Sequence, residues 1–264
     1  MRVNHVNLVL EDYETSVGHF EGLYGARFLR DLPQTAWHAC LIDIGRVIFE
    51  LFAPHDFFLS SRYGPHYIGI EYQADMDEVR EVLASQGIRI IRELDVACHV
   101  HPADCHGIAF EFYGGFFHDN DQFTDEPMKP AEYWRDENPL GLTGLKAYTV
   151  AVPDFEEARD FFQGFLQHEV VYEEARPALA AKAVGLQVAD AVLELVSPVG
   201  DGPLQRHLLQ HGEGIRSTVF GVRDLDQAQR YFREHGVELV PGGAPDTLAI
   251  PTELNLGVIF EFSE

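Results

Sequence analysis

Positive charge is scarce in this chain: 19 Lys and Arg stand against 43 Asp and Glu, a net charge of −24 over 264 residues. A nucleic acid is therefore excluded as a partner, because a phosphate backbone needs a basic stripe to displace its counterions. The acidity itself reads as solubility. Cysteine is nearly as rare. Cys40, Cys98 and Cys105 are odd in number and form no disulfide framework, so a reducing, cytoplasmic location is expected. No apolar run reaches the length of a membrane span, and the opening Met-Arg-Val-Asn-His lacks a signal-like apolar region. Neither a membrane partner nor export is expected.

What is present is apolar. At 46% hydrophobic and 12% aromatic residues, the chain has the means to bury a real core. Its length suits one large domain or two ordinary ones.

Repeats organise it. His5 precedes Glu50 by 45 residues, and His66 precedes Glu111 by the same 45. Gly25-Ala-Arg-Phe-Leu-Arg-Asp-Leu32 returns as Gly87-Ile-Arg-Ile-Ile-Arg-Glu-Leu94. At a longer period, Phe49-Glu-Leu-Phe-Ala-Pro54 answers to Leu193-Glu-Leu-Val-Ser-Pro198, and Gly107-Ile-Ala-Phe-Glu-Phe112 to Gly257-Val-Ile-Phe-Glu-Phe262. The chain thus reads as four copies of a unit of about 55 residues, paired into two domains. Each copy opens with a strand such as His5–Leu10, continues as a helix with apolar residues at helical spacing, and ends in strands. Gly25, Gly87 and Gly236 stand where helices should stop, and Asp12 and Asp154 where they should start. The boundaries expected are residues 1–115, an acidic aromatic linker at 116–141, and residues 142–264. Phe116, Phe117, Phe123, Tyr133 and Trp134 of the linker should cover a domain edge.

Period-two reasoning places the glutamates. A turn at Asp43 to Arg46 sets Trp37, Ala39 and Leu41 beside Ile48, Glu50 and Phe52, with His38 facing away as a structural residue. Pairing Gly107 with His101 puts Ala109 opposite His99 and Glu111 opposite Ala97, so that His99 and His101 share a face with Glu111. A glutamate inside the apolar run Val47–Phe52 is costly to bury without a charge or hydrogen bonds to meet it. A metal ion would do so. Two imidazoles and two carboxylates, from His5, Glu50, His66 and Glu111, suit a divalent ion such as Ni, Zn, Co, Mn or Fe. Cys98 points away from His99, so the stretch Cys98–His106 assembles no tidy tetrahedral second site.

The βαβββ unit, the opening His5-Val-Asn-Leu-Val, the phrase Gly64-Pro-His66-Tyr-Ile-Gly-Ile70 and the closing Phe-Glu-Leu and Phe-Glu-Phe strands resemble the vicinal oxygen chelate superfamily. That group includes glyoxalase I, methylmalonyl-CoA epimerase, extradiol dioxygenases and drug-binding proteins. The resemblance implies an α+β fold of four βαβββ units forming two glyoxalase-like domains with curved mixed sheets. It also implies one divalent metal held by His5, Glu50, His66 and Glu111, or by three of them with Glu50 free. The corresponding positions of the second half read Ala147, Glu194, Ile215 and Glu261, which marks that half as metal-free and the histidines as the specific signal.

Such a site points to proton transfer on a small oxygen-chelating molecule: isomerisation, epimerisation or lyase cleavage, with Glu50 or Glu111 as base. The competing reading is ring cleavage of a catechol-like aromatic by dioxygen, with His5, His66 and Glu111 as a facial triad and His99 or His101 as acid–base group. A third is drug binding without catalysis. Phe52, Phe57, Phe58, Tyr63, Tyr67 and Tyr113 hint at an aromatic substrate, while no Lys and Arg cluster marks a glutathione or coenzyme A site. The repeat leaves open whether paired units close within one chain or swap across a homodimer.

Overall fold

The computed structural model describes residues 1–35, 37–54, 64–119 and 124–264. Phe57, Phe58, Tyr63 and Phe123, named above for a substrate or a cover, lie outside the described residues.

The βαβββ order recurs four times. The first copy is β1 (Arg2–Val9), α1 (Tyr13–Tyr24), β2 (Arg27–Pro33), β3 (Trp37–Ile44) and β4 (Val47–Pro54). The second is β5 (His66–Gln73), α2 (Met76–Gln86), β6 (Ile90–Glu93), β7 (Ala97–Val100) and β8 (Ala109–Tyr113). The third is β9 (Leu142–Ala151), α3 (Phe155–Phe165), β10 (His168–Arg176), β11 (Ala181–Val188) and β12 (Ala191–Pro198). Helix α4 (Pro203–His211) leads to the fourth: β13 (Gly214–Val222), α5 (Leu225–Glu234), β14 (Val240–Pro241), β15 (Leu248–Ala249) and β16 (Ile259–Ser263). The fold is α+β, with two mixed eight-stranded sheets ordered β2-β3-β4-β1-β5-β8-β7-β6 and β10-β11-β12-β9-β13-β16-β15-β14. No helix among the described residues is long and apolar enough to cross a membrane.

Local chemistry sets the boundaries. Asp12, Asp75, Asp154 and Asp224 each accept a hydrogen bond from a backbone N–H of the following first turn, so the helix of every copy starts at an aspartate. Gly25 and Gly87 stop α1 and α2 in the left-handed conformation, at φ 65° and 69°. Gly45 and Arg46, both at positive φ, make a two-residue hairpin turn that pairs Ile44 with Val47 and thereby Leu41 with Glu50.

Contacts along the chain group the copies into two compact units. One comprises Met1–Asn4, Ile68–Phe116 and Ala147–Arg216, which is most of the second and third copies. Its core packs Phe110 and Phe112 edge to face with Phe162 and Phe165, and Tyr72 and Tyr148 hydrogen-bond to each other through their buried hydroxyls. The other comprises His5–Tyr67, Phe117–Lys146 and Ser217–Glu264. Phe20, Tyr24, Phe49, Phe220, Phe260 and Phe262 fill it, with the Tyr24 hydroxyl donating to Asn255 Oδ1. Within this unit the described residues of the acidic aromatic segment pack against the strands. Phe117 and Met128 pack on Leu29, Leu41 and Ile48, the Asp125 N–H bonds Leu29 O at 2.8 Å, and Trp134 is fully buried in a single π-helical turn.

Candidate metal centre

Strand register decides which side chains meet. Parallel pairing of β1 with β4 sets His5 beside Ile48 and Asn7 beside Glu50. Parallel pairing of β5 with β8 sets Gly69 beside Ala109 and Glu71 beside Glu111. Ile48 and Ala109 each stand two residues before the closing glutamate, so the counterpart of His5 in the second copy is Gly69 and the counterpart of Asn7 is Glu71. His66 lies three residues earlier on its strand. The equal 45-residue intervals therefore do not mark equivalent positions. Nor could a side chain replace Gly69, since a Cβ there would stand 1.8 Å from Ala109 O.

The structure brings three donors together. His5, Glu71 and Glu111, from strands β1, β5 and β8, each offer a ligand atom, and these atoms lie within 4.8 Å of one another. Two of the residues are almost wholly buried, with His5 2% and Glu71 4% exposed. Glu50 stands beside the set, its Oε2 3.4 Å from His5 Nε2. His66 is outside it, with Nδ1 bonded to Gly64 O at 2.8 Å.

Supporting contacts fix the carboxylates. Asn4 Nδ2 donates to Glu71 Oε1 at 2.9 Å and to Gly115 O at 3.1 Å. His99 Nδ1 lies 3.3 Å from Glu111 Oε1. Burial works against a charged His99, but the Glu111 bond and charge outweigh it, so its pKa is raised. The observed register pairs His99 with Glu111 and Ala97 with Tyr113, two residues from the expected one. The turn causes the slip, because a 3₁₀ turn at Pro102–Asp104 with Gly107 N–H bonded to Pro102 O lengthens the connection. The shift is even, so the shared face survives. His101 caps that turn, its Nδ1 accepting from the Ala103 N–H at 3.1 Å. His38 is structural, bonded to Asp31 at 2.6 Å and stacked on Tyr13. Phe117 covers His5, with ring centroids 5.1 Å apart.

Glu71 escaped the sequence reading, although the signal was there. It is a glutamate within an apolar strand, the same anomaly that singled out Glu50.

On the second sheet the register aligns Ala147 and Ser217 with His5 and Gly69, and Glu194 and Glu261 with Glu50 and Glu111. Ser217, rather than Ile215, is thus the fourth position. Glu194 Oε2 accepts from Arg176 Nη2 at 2.5 Å, Arg176 Nε at 3.2 Å and the Tyr172 hydroxyl at 2.7 Å. Burial alone would depress the Arg176 pKa, but Glu194 and Glu174 raise it. Glu261 Oε2 accepts from the Gly243 N–H at 2.8 Å and Thr247 Oγ1 at 3.0 Å.

Residues 144–246 match the model of the Glyoxalase/Bleomycin resistance protein/Dioxygenase superfamily. No curated protein matches the chain. Among solved structures, a mutant of 4-hydroxymandelate synthase from Streptomyces coelicolor shares the fold across 99% of this chain and 91% of its own, with a TM-score of 0.77 at 13% identity. The likeness to that superfamily thus lies in residues 144–246 by sequence and in the whole chain by fold. Methylmalonyl-CoA epimerase from Mycobacterium tuberculosis is also similar, at 28% identity over 46% of this chain and 87% of its own, with a TM-score of 0.43.

The family match falls on the half whose glutamates are met by protein donors. The first sheet holds the His5, Glu71 and Glu111 donor set. The two carboxylates of the set, with ligand atoms within 4.8 Å of each other, repel unless a cation or a proton intervenes. Their chemistry fits a divalent first-row ion, and one imidazole with two carboxylates leaves coordination positions for a chelating substrate.

Proposed function

We propose that this protein is a metal-dependent enzyme of the glyoxalase type that moves a proton on a small organic molecule chelating through two oxygens. The observation carrying this reading is the His5, Glu71 and Glu111 donor set with His99 held on Glu111. When bound there, a divalent ion would supply Lewis acidity to the substrate oxygens. The protein's own part is proton handling. Glu50 stands outside the donor set, 14% exposed and beside His5, which suits it to take a proton from a carbon next to the chelating oxygens. His99, its pKa raised by Glu111, suits the return of a proton. In this reading residues 1–115 carry the reaction, and residues 142–264 are a metal-free domain completing the protein.

A single imidazole among the three clustered donors favours proton transfer over oxygen chemistry, whose facial triad uses two. The test has two parts. Protein purified without chelators is assayed for metal, and then incubated in D2O with α-hydroxy, α-keto and 1,3-dicarbonyl acids while NMR follows exchange at carbon. We expect one equivalent of a divalent ion in the wild type, none in His5→Ala, and carbon exchange that Glu50→Gln abolishes. Full metal content in His5→Ala would overturn the site. Oxygen uptake with catechols, and no exchange, would overturn the reaction.

A further inference from the structure

Helix α4 carries a second set of metal-ligating side chains that the proposed reaction does not use. His207 and His211 are one turn apart, so they project from the same face of the helix. Their rings are in contact, with centroids 4.8 Å apart and planes tilted by 37°. Each imidazole nitrogen binds a first-row ion at about 2.0–2.1 Å, and two histidines at i and i+4 on one helix face are spaced to share such an ion.

The helix holds this pair in place. Leu204 is fully buried and Leu208 packs beside it on Ala151, Leu179, Ala181, Ala183 and Val196, which anchors the helix along the neighbouring stripe. An anchored pair loses little freedom on chelation. His211 is the last helical residue, where the negative end of the helix dipole favours a cation. Glu213, two residues further on, is bonded to His106 Nδ1 at 3.0 Å.

We infer that His207 and His211 form a second metal site, selective for an imidazole-preferring divalent ion: Zn, Ni or Cu(II). Its ligand chemistry differs from that of the carboxylate-rich first site, and by the preferences of these donors the two sites sort different ions. The inference is independent of the reaction proposed above.

The test is calorimetric titration of the dialysed, untagged protein with Ni(II) and Zn(II), repeated for His207→Gln, His211→Gln and His5→Ala. The second imidazole of a pair acts by chelation, so either glutamine variant should bind its ion about 100-fold more weakly. His5→Ala should keep this site and lose the other. Cu(II) electron paramagnetic resonance of His5→Ala should show two coupled nitrogens, and one after the further change His207→Gln. Circular dichroism confirms that each variant is folded. Isotherms of both glutamine variants that superimpose on the wild type would overturn the inference, as would a copper signal unchanged by His207→Gln.

Discussion

On the first sheet Glu50 and Glu111 face histidines, whereas Glu194 and Glu261 at the same places on the second sheet face an arginine, hydroxyls and a backbone N–H. The fold delivers a buried or largely buried carboxylate to the closing strand of each copy, and each copy must then compensate its charge. Arg176 does this with a fixed cation inside the third copy. In the first two copies the compensation is left to imidazoles and, in the function proposed above, to a metal. Asp43 illustrates a further solution. It lies on β3 with no measurable exposure, and its Oδ2 has no hydrogen-bond partner among the described residues. Burial pushes its pKa up to about 7, although the Arg46 N–H and the nearby Trp134 indole draw it down. At neutral pH that carboxyl is therefore close to half protonated.

The sharpest way to break the comparison is to remove the fixed cation. Arg176→Ala leaves Glu194 buried beside Tyr172 and Thr149 alone. Losing one partner of a buried ion pair costs about 3–5 kcal/mol, so urea unfolding of this variant should show a loss of that size. The double variant Arg176→Met with Glu194→Gln should lose much less than the sum of the two single changes. Additive losses would mean that the pair is not the compensation it looks like.

Asp43→Asn tests the proton. The folded pKa of about 7 stands above the ordinary aspartate value of 3.8, so the stability contributed by the protonated form is full below about pH 4 and is lost as pH rises through 7. Asparagine mimics the protonated acid at every pH. Wild type and variant should match near pH 4, and the variant should be the more stable at pH 8 by up to about 4 kcal/mol, at 1.36 kcal/mol per pKa unit. Parallel stability curves from pH 4 to 8 would show that Asp43 does not titrate in this range.

Much of this was legible before any coordinates. The βαβββ repeat, the caps at Asp12 and Asp154 and the glycine stops follow from short-range chemistry, and the face shared by Leu41 and Glu50 follows from a two-residue turn. What misled was spacing counted across loops. Equal intervals from His5 to Glu50 and from His66 to Glu111 need equal paths, and the second copy reaches the same register in three residues fewer. The Pro102–Asp104 turn shifted His99 by two for the same reason, since turn geometry and not alternation sets register. Arg176 was silent because a lone arginine at the end of an acidic strand shows nothing until folding brings Glu194 against it.

The smallest effect probes how the first sheet positions its carboxylate. Asn4 is buried and divides its amide between Glu71 and Gly115 O, so it orients the donor without ligating an ion itself. Removing such an outer partner typically costs 10–100-fold in metal affinity, and Asn4→Ala should weaken the ion of the first site by about that factor. Asn4→Asp should weaken it too, because a second carboxylate repels Glu71 instead of donating to it. The ions bound at His207 and His211 provide the internal control, since neither change should alter their affinity. Equal weakening at both sites would mean that Asn4 matters to the fold as a whole. Weakening confined to the first site would make Asn4 there what Tyr172 is to Glu194 on the second sheet, a neutral group that fixes a carboxylate for the cation it serves.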